Sequence, residues 1–208
     1  MDRVPSDVIY GLTLDGKGGM TPLAAGSEIP AAQPSWVHLD YGNPESARWL
    51  LQTPLLNDAA RESLLGQSNR PKLVRMGETV LLILRGINHN KDHRPEEMVA
   101  LRIYITPDFI LSSRRRSLLS EKDVFQQLVL GGGAISSADW LVEICDALTD
   151  RAGEFVEELH DQILELEEIV LMRELPANGR LARIRKQLIM IRRYLSPQRD
   201  LVARLANE

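Results

Sequence analysis

Apolar residues recur at steps of three and four over the last third of the chain. From Asp139 to Leu205 this spacing keeps one apolar stripe on one side of a helix, with a break at residues 175–179. The first arm carries the stripe at Leu141, Ile144, Leu148, Ala152, Phe155, Leu159, Ile163, Leu166 and Val170, and the second at Leu181, Ile184, Leu188, Ile191, Leu195, Val202 and Leu205. Gln198, beside Pro197, interrupts the second stripe. The pattern predicts helices over about 136–174 and 178–206, folded back as a long antiparallel hairpin.

The two arms carry opposite charge. Residues 139–174 contain twelve acidic residues against two arginines, whereas residues 178–208 contain eight basic residues against two acidic ones. Exposed ion pairs contribute only about 0.2–1 kcal/mol each. We therefore expect the apolar stripe to supply most of the stability, and the charges to select which helix pairs with which. Cation binding by the acidic face is the alternative use of this pattern.

Strand and helix patterns alternate through residues 1–133. Apolar runs predict strands at 8–14, 36–40, 72–75, 78–87, 98–105 and 109–113. Cap and periodicity signals predict helices at 44–52, from 57 or 58 to 65, and at 120–130, the last with a capping box that begins at Ser120. Glycines at 16, 18 and 19 predict a tight turn after the first strand. The sequence thus predicts an α/β fold with a helix-covered mixed β-sheet in residues 1–133, followed by the hairpin in residues 134–208.

Composition narrows the class of protein. A net charge of −4 argues against general nucleic-acid binding, and a single cysteine, Cys145, permits no internal disulfide. The start of the chain lacks the apolar core of a signal peptide, and the longest strongly apolar run, Val80 to Leu84, is far shorter than the roughly 20 residues of a membrane helix. We expect a soluble, cytosolic chain. The last helix is still in phase at Leu205, which favours a fragment of a longer protein.

Candidate chemistry is limited to possible metal and anion sites. The sequence has no phosphate loop, nucleophile elbow, zinc-protease motif or dinucleotide fingerprint, so we expect no enzyme. Glu157 and His160 are three residues apart and therefore project from one helix face, with Asp161 adjacent to His160. An imidazole with carboxylates suits zinc, but ligands from one helix do not close a tetrahedron, so a neighbouring chain or waters must complete the site. A solvated helix face is the alternative.

Two other clusters are weaker candidates for ion binding. His89, Asp92 and His93 lie in one loop, where their spacing allows chelation but simple exposure is the usual outcome. Arg114, Arg115 and Arg116 form the strongest local basic run and are candidates for anion binding. Pairing with nearby acids, or an exposed turn, is the alternative for these arginines.

Several segments together resemble a known family. They are Leu14–Gly16, Trp36–Leu39, Thr53–Leu56, Trp140–Asp150, Glu157–Asp161, Arg185–Ile189 and Arg192–Asp200. These segments look like the cytosolic part of CorA-type divalent-cation transporters, and most of all like the zinc-transporter branch. The resemblance covers essentially the whole chain, and the arginine-tyrosine-proline-glutamine-arginine segment near its end is fairly specific.

The resemblance implies a fold and a function. Such proteins are homopentameric transporters of the bacterial inner membrane, with a funnel-shaped cytosolic domain built from an α/β/α sandwich and a pair of long helices. Their stalk helix, two membrane-spanning helices and connecting loop are absent from this sequence. The implied partners are divalent cations, with Zn²⁺ as transported or regulatory ligand, and copies of the chain itself. The resemblance also favours metal binding at His160, Glu157 and Asp161. The competing hypothesis is a freestanding hairpin scaffold that binds a partner helix.

Overall fold

The computed structural model describes residues 3–66, 70–172 and 178–207, and in these ranges seven strands form one mixed sheet. The strands are β1 (Tyr10–Leu14), β2 (Met20–Pro22), β3 (Ser35–Asp40), β4 (Lys72–Met76), β5 (Thr79–Gly86), β6 (Val99–Ile105) and β7 (Phe109–Arg114). Their order across the sheet is β2-β1-β3-β7-β6-β5-β4. Strands β3 and β7 run parallel, and the other neighbours run antiparallel. The predicted mixed sheet is therefore confirmed.

The same ranges contain five helices, and the asparagine caps predicted for two of them are present. The helices are α1 (Pro44–Gln52), α2 (Asp58–Leu65), α3 (Leu119–Leu130), α4 (Ser137–Leu171) and α5 (Asn178–Asn207). The Asn43 side chain accepts a hydrogen bond from the Glu45 N–H at 3.0 Å, and Asn57 accepts from the Ala60 N–H at 2.8 Å. Each bond satisfies a backbone donor that has no partner within its helix.

The cap predicted for α3 is wrong. Ser120 lies inside the helix and is buried, and its hydroxyl donates to the Ala147 carbonyl on α4 at 3.1 Å. A serine that contacts a neighbouring helix in this way cannot turn back to cap its own helix. The N-cap is Leu118 instead, and its N–H donates weakly to the Glu121 carboxylate at 3.5 Å, two residues before the predicted box.

Strand side chains alternate between two covered faces of the sheet. We call the face that packs against α3 and α4 the α4 face; it carries Trp36, Leu82, Ile103 and Ile110. The opposite side, the α1 face, packs against α1 and α2; it carries Val37, Leu81, Tyr104 and Leu111. Because helices cover both faces, the domain is the α/β/α sandwich that the resemblance implied.

Helix α4 belongs partly to the sheet and partly to the hairpin. Trp140, Ile144 and Leu148 pack in the core of the α4 face, although they lie beyond the domain boundary predicted at residue 133. Farther along, a separate cluster joins α4 to α5. It contains Ile87, Met98, Ala152, Phe155, Leu159, Leu166, Ile184 and Ile191. One continuous stripe therefore serves two different packing partners.

The antiparallel hairpin is confirmed. Ala152 lies near Leu195 at one end of the pair, and Val170 lies near Leu181 at the other. Residues 173–177 of the predicted break lie outside the described residues. Asn178 and Gly179, which the sequence placed in the break, form the start of α5.

The glycine turn after β1 leads into β2, a three-residue strand that the sequence analysis did not predict. Gly18 has a φ of 97°, and its carbonyl accepts a hydrogen bond from the Gly133 N–H at 2.8 Å. A β-carbon added at Gly18 would lie 2.8 Å from the Gly131 carbonyl oxygen. The turn is therefore packed directly against the loop that precedes α4.

Substitution of Gly18 by alanine should destabilise the fold by about 1–3 kcal/mol, because it combines left-handed strain with a backbone clash. Gly16→Ala is the matched control. Gly16 has a φ of 73°, but a β-carbon there would meet nothing within 4 Å. Its substitution should therefore cost only the backbone strain, about 1–2 kcal/mol. Urea unfolding midpoints compare the two variants. Equal losses would show that the loop yields to Gly18→Ala at no cost.

Candidate functional site

The acidic residues of α4 beyond the sheet lie on the surface of the hairpin. Phe155 and Leu159 are buried against α5, whereas Glu154, Glu158 and Glu165 are exposed. The apolar stripe thus directs the acids outward, as amphipathic spacing requires. This produces a negatively charged helix face on the projecting part of the molecule.

Glu157, His160 and Asp161 all lie on this exposed face of α4. Within residues 3–66, 70–172 and 178–207, no three His, Cys, Asp or Glu side chains are grouped to hold a metal ion. A cation at His160 would therefore need further ligands from water or from a second chain, as the helix geometry already indicated. The site stays a prediction.

The loop candidates are also exposed. His89, Asp92 and His93 lie at the surface, and Asp92 adopts a left-handed φ of 64°. His93 Nδ1 lies 3.4 Å from Glu97 Oε2 instead of facing the other two residues. This loop offers isolated polar side chains and no ligand cage.

Charge pairing between the arms occurs near the far end of the hairpin. Arg180 at the start of α5 forms an ion pair with Glu165 of α4. Elsewhere Arg151 pairs with Asp123 of α3 at 2.9 Å and with Glu154 of its own helix at 2.9 Å. The basic side chains Arg183, Arg185 and Arg192 remain exposed. The buried apolar cluster, and not a ladder of ion pairs, therefore supplies most of the contact between the arms.

In the structure, the three consecutive arginines at 114–116 lie in two different environments. Arg114 points into the protein, where its Nε lies 2.9 Å from Glu121 Oε1 and its Nη1 lies 3.5 Å from Asp40 Oδ2. Arg115 and Arg116 are exposed and line a separate pocket on the α1 face. Arg114 is the last residue of β7 and faces α3, whereas Arg115 and Arg116 follow the end of the strand. Pairing with nearby acids accounts for Arg114, and anion binding by the other two stays a prediction.

Arg114 belongs to a buried polar cluster beneath α3. His38 Nε2 lies 2.7 Å from Glu121 Oε2, and both side chains are about 1% exposed or less. On the other side of the imidazole, His38 Nδ1 lies 2.7 Å from the Ser112 hydroxyl, which also accepts the Trp36 Nε1–H at 2.7 Å. A carboxylate can only accept, so the histidine carries a proton on Nε2. The cluster ties β3 and β7 to α3.

Two opposing effects set the acidity of Glu121. Burial is the largest and by itself raises the pKa of this carboxyl group. His38 and Arg114 together outweigh burial, so the net pKa lies below its ordinary value of 4.5. Glu121 is thus held as a carboxylate by its two partners.

Residues 31–208 match the sequence model of the CorA-like Mg²⁺ transporter protein family. The chain belongs to this family. The match includes five of the seven described strands, β3 to β7, together with all five described helices and so the whole hairpin. The resemblance inferred from the sequence segments is therefore confirmed.

Relatives of this CorA-like chain include zinc transporters. It is 49% identical over 203 residues to the zinc transport protein ZntB of Yersinia enterocolitica, an alignment that covers 98% of this chain and 62% of the relative. The structure of the full-length CmaX protein is similar with a TM-score of 0.92 at 32% identity, over 98% of this chain and 64% of that one. The ZntB cytoplasmic domain from Vibrio parahaemolyticus has the same fold, with a TM-score of 0.80 at 24% identity over 95% and 80% of the two chains.

This CorA-like chain spans about three-fifths of the length of the curated relatives it matches. None of the helices within its described residues has the length and apolarity to cross a membrane.

Sequence analysis missed the buried partners of this CorA-like domain, although one signal was visible. In the predicted strand at 36–40, a period of two places Trp36, His38 and Asp40 on one face, and that face is buried at the first two. A histidine at an inward position requires a polar partner. Its partner, Glu121, is 83 residues away on a helix whose position relative to the strand the sequence does not determine.

Proposed function

We propose that this CorA-like chain is the cytoplasmic, cation-responsive part of a zinc transporter of the bacterial inner membrane. The observation that carries the proposal is the exposed acidic face of α4 in a chain whose relatives are named zinc transport proteins. In this role the domain attracts or senses Zn²⁺ and catalyses no reaction. The family is one of transporters.

The charge distribution on α4 supports attraction of cations. Its exposed acids extend from Glu154 to Glu168 along a projecting helix, and described basic side chains compensate only part of them. Such a surface raises the local concentration of cations over a range of roughly 8 Å at physiological salt. Long-range attraction of this kind needs no closed ligand cage, which agrees with the open geometry around His160.

Assembly with further copies would complete the site. The resemblance implies a pentamer, and the end of the hairpin supports contact with another chain through its apolar surface. Val170, Leu171 and Leu181 are between 58% and 82% exposed there, beside a groove of about 480 Å³ that Ile163 and Leu166 also line. At His160, a neighbouring copy or water would have to supply the ligands that one helix cannot provide.

Zinc titration tests the proposal. Isothermal calorimetry of the chain with Zn²⁺ should detect binding, and His160→Ala should weaken it by about tenfold or more, which corresponds to a loss of ~1.4 kcal/mol for one ligand. Glu157→Gln and Asp161→Asn should weaken it in the same direction.

His93→Ala is the matched control, because His93 is also an exposed histidine but lies in the loop before β6. It should leave the zinc affinity unchanged. An absence of heat with the unmodified chain would contradict cation sensing. Equal losses in the His93 and His160 variants would assign binding to exposed histidines in general and not to the acidic face.

A further inference from the structure

A buried arginine without a counter-ion lies at the end of β5. Arg85 is 7% exposed, and its guanidinium lies over the ring of Tyr194 from α5, 4.6 Å from the ring centre. Its Nη2 donates to the Met98 carbonyl. Its Nε is buried without a hydrogen-bond partner among the described residues, and no carboxylate there forms an ion pair with Arg85.

This arrangement is energetically costly as it stands. Transfer of an unpaired charge out of water is among the most unfavourable events in folding, and a guanidinium does not shed its proton to escape it. Burial is the largest effect and lowers the pKa of Arg85; Tyr194 and Tyr41 act against it, and the positive charge of Arg102, the smallest effect, lowers the pKa further. The environment of Arg85 therefore lacks a negative charge.

Two more arginines line the space beside Arg85. A pocket of about 400 Å³ on the α1 face is lined by Arg85, Arg115 and Arg116, together with Tyr41 and the backbone segment 97–100. Glu97 is the one acidic residue among those lining residues, and its side chain is 49% exposed and lies 3.4 Å from His93. The pocket therefore holds three positive charges against one negative charge that is directed elsewhere.

We propose that this pocket binds a phosphate-sized oxyanion, with Arg85 as its buried ligand and Arg115 and Arg116 as its outer ligands. Planar guanidinium groups form paired, charge-assisted hydrogen bonds with phosphate oxygens. A doubly charged oxyanion would neutralise the net charge of the pocket and supply an acceptor for the unpartnered Nε–H of Arg85. The site keeps two arginines of the exposed run and replaces Arg114, which is paired internally, by Arg85.

Titration with inorganic phosphate at neutral pH, in a buffer low in chloride, tests the site by calorimetry and by the melting temperature. Binding should raise the melting temperature with phosphate concentration. Arg115→Gln and Arg116→Gln should each weaken binding by about tenfold or more, the equivalent of one charge-assisted hydrogen bond. Arg192→Gln, an exposed arginine of α5 with the same change in charge, should leave the affinity unaltered.

The Arg85→Met variant distinguishes an arginine that binds an anion from one that only stabilises the fold. It removes an uncompensated buried charge and also the hydrogen bond to the Met98 carbonyl, while its side chain still covers Tyr194, so the melting temperature without phosphate should change little. The increase that phosphate produces should disappear. A lower melting temperature without phosphate, with the phosphate response intact, would overturn the proposal.

Further outcomes decide between sources of the anion. A second titration replaces inorganic phosphate by glycerol 3-phosphate. Tighter binding of the ester would show that the remaining volume accepts an organic group, and equal binding would show that the site takes free phosphate. Either result supports the oxyanion site. Sodium chloride at matched ionic strength should have no comparable effect, and an equal effect would reduce the site to general screening. Phosphate binding by Glu97→Gln but not by the unmodified chain would identify Glu97 as an internal counter-ion and overturn the proposal.

Discussion

Replacement of Glu121 by alanine should destabilise the sandwich by about 3–5 kcal/mol, because removal of one partner of a buried ion pair leaves the other uncompensated. Glu121 is 1% exposed, and it contacts both His38 and Arg114. Without the carboxylate, His38 would lose its buried partner on Nε2, and Arg114 would keep only the longer contact with Asp40. Guanidinium chloride unfolding, followed by circular dichroism, measures the loss.

Glu154→Ala is the control for this experiment. Glu154 also forms an ion pair, with Arg151 at 2.9 Å, but it is 56% exposed. Its loss should cost less than about 1 kcal/mol, as for other surface pairs. Similar losses of stability in the two variants would show that the buried contacts of Glu121 stabilise the fold no more than an exposed ion pair does.

The pH dependence of stability gives an independent check on the same cluster. The pKa of Glu121 is lower in the folded chain than its ordinary value of 4.5, so its contribution to stability is complete above pH 4.5 and is lost as the pH falls through the lower, folded pKa. The unmodified chain should therefore lose stability more steeply with acidification below pH 4.5 than Glu121→Gln does. Parallel curves in that range would contradict the assignment.

The sequence patterns predicted most of the helices and strands, because helix periodicity and helix caps depend on residues only a few positions apart. The apolar spacing from Asp139 to Leu205 specified both long helices, and Asn43 and Asn57 specified two helix starts. The same spacing could not specify which neighbouring element each helical turn of α4 packs against. Leu148 meets the sheet and Leu159 meets α5, although both occupy equivalent positions on one stripe. β2 was missed because a three-residue edge strand has too short a pattern.

The candidate sites were harder to predict because they depend on distant residues. The sequence presents Arg114, Arg115 and Arg116 as one basic cluster, but Arg114 ends β7 and pairs with Glu121, whereas Arg115 and Arg116 lie beyond the strand and are exposed. Arg85 was missed because it lies within an apolar run, and nothing nearby in the sequence reveals that its guanidinium lacks a carboxylate. His160, Glu157 and Asp161 are adjacent as predicted, yet adjacency on one helix provides only one side of a metal site.

Gln198, the residue that interrupts the apolar stripe of α5, has a structural explanation. Strand β4 pairs with β5 only as far as Ile83, so the backbone of Arg85 has no strand beside it on that edge. The Gln198 side chain takes the place of the missing strand: its Oε1 accepts the Arg85 N–H at 2.6 Å, and its Nε2 donates to the Arg85 carbonyl at 3.2 Å. Both residues are more than nine-tenths buried. One side chain thereby attaches the end of the hairpin to the sheet.

Gln198→Met should therefore destabilise the chain strongly even though methionine has nearly the same length. It leaves a buried N–H and a buried carbonyl without partners, each at a cost of about 1–3 kcal/mol. Gln198→Ala adds a cavity and should cost more, whereas Gln126→Ala, on the exposed side of α3, should change stability by less than about 0.5 kcal/mol. Urea unfolding separates these cases. A methionine variant as stable as the unmodified chain would show that Gln198 acts only by filling space, and that α5 docks on the sheet through apolar contacts such as Leu201 alone.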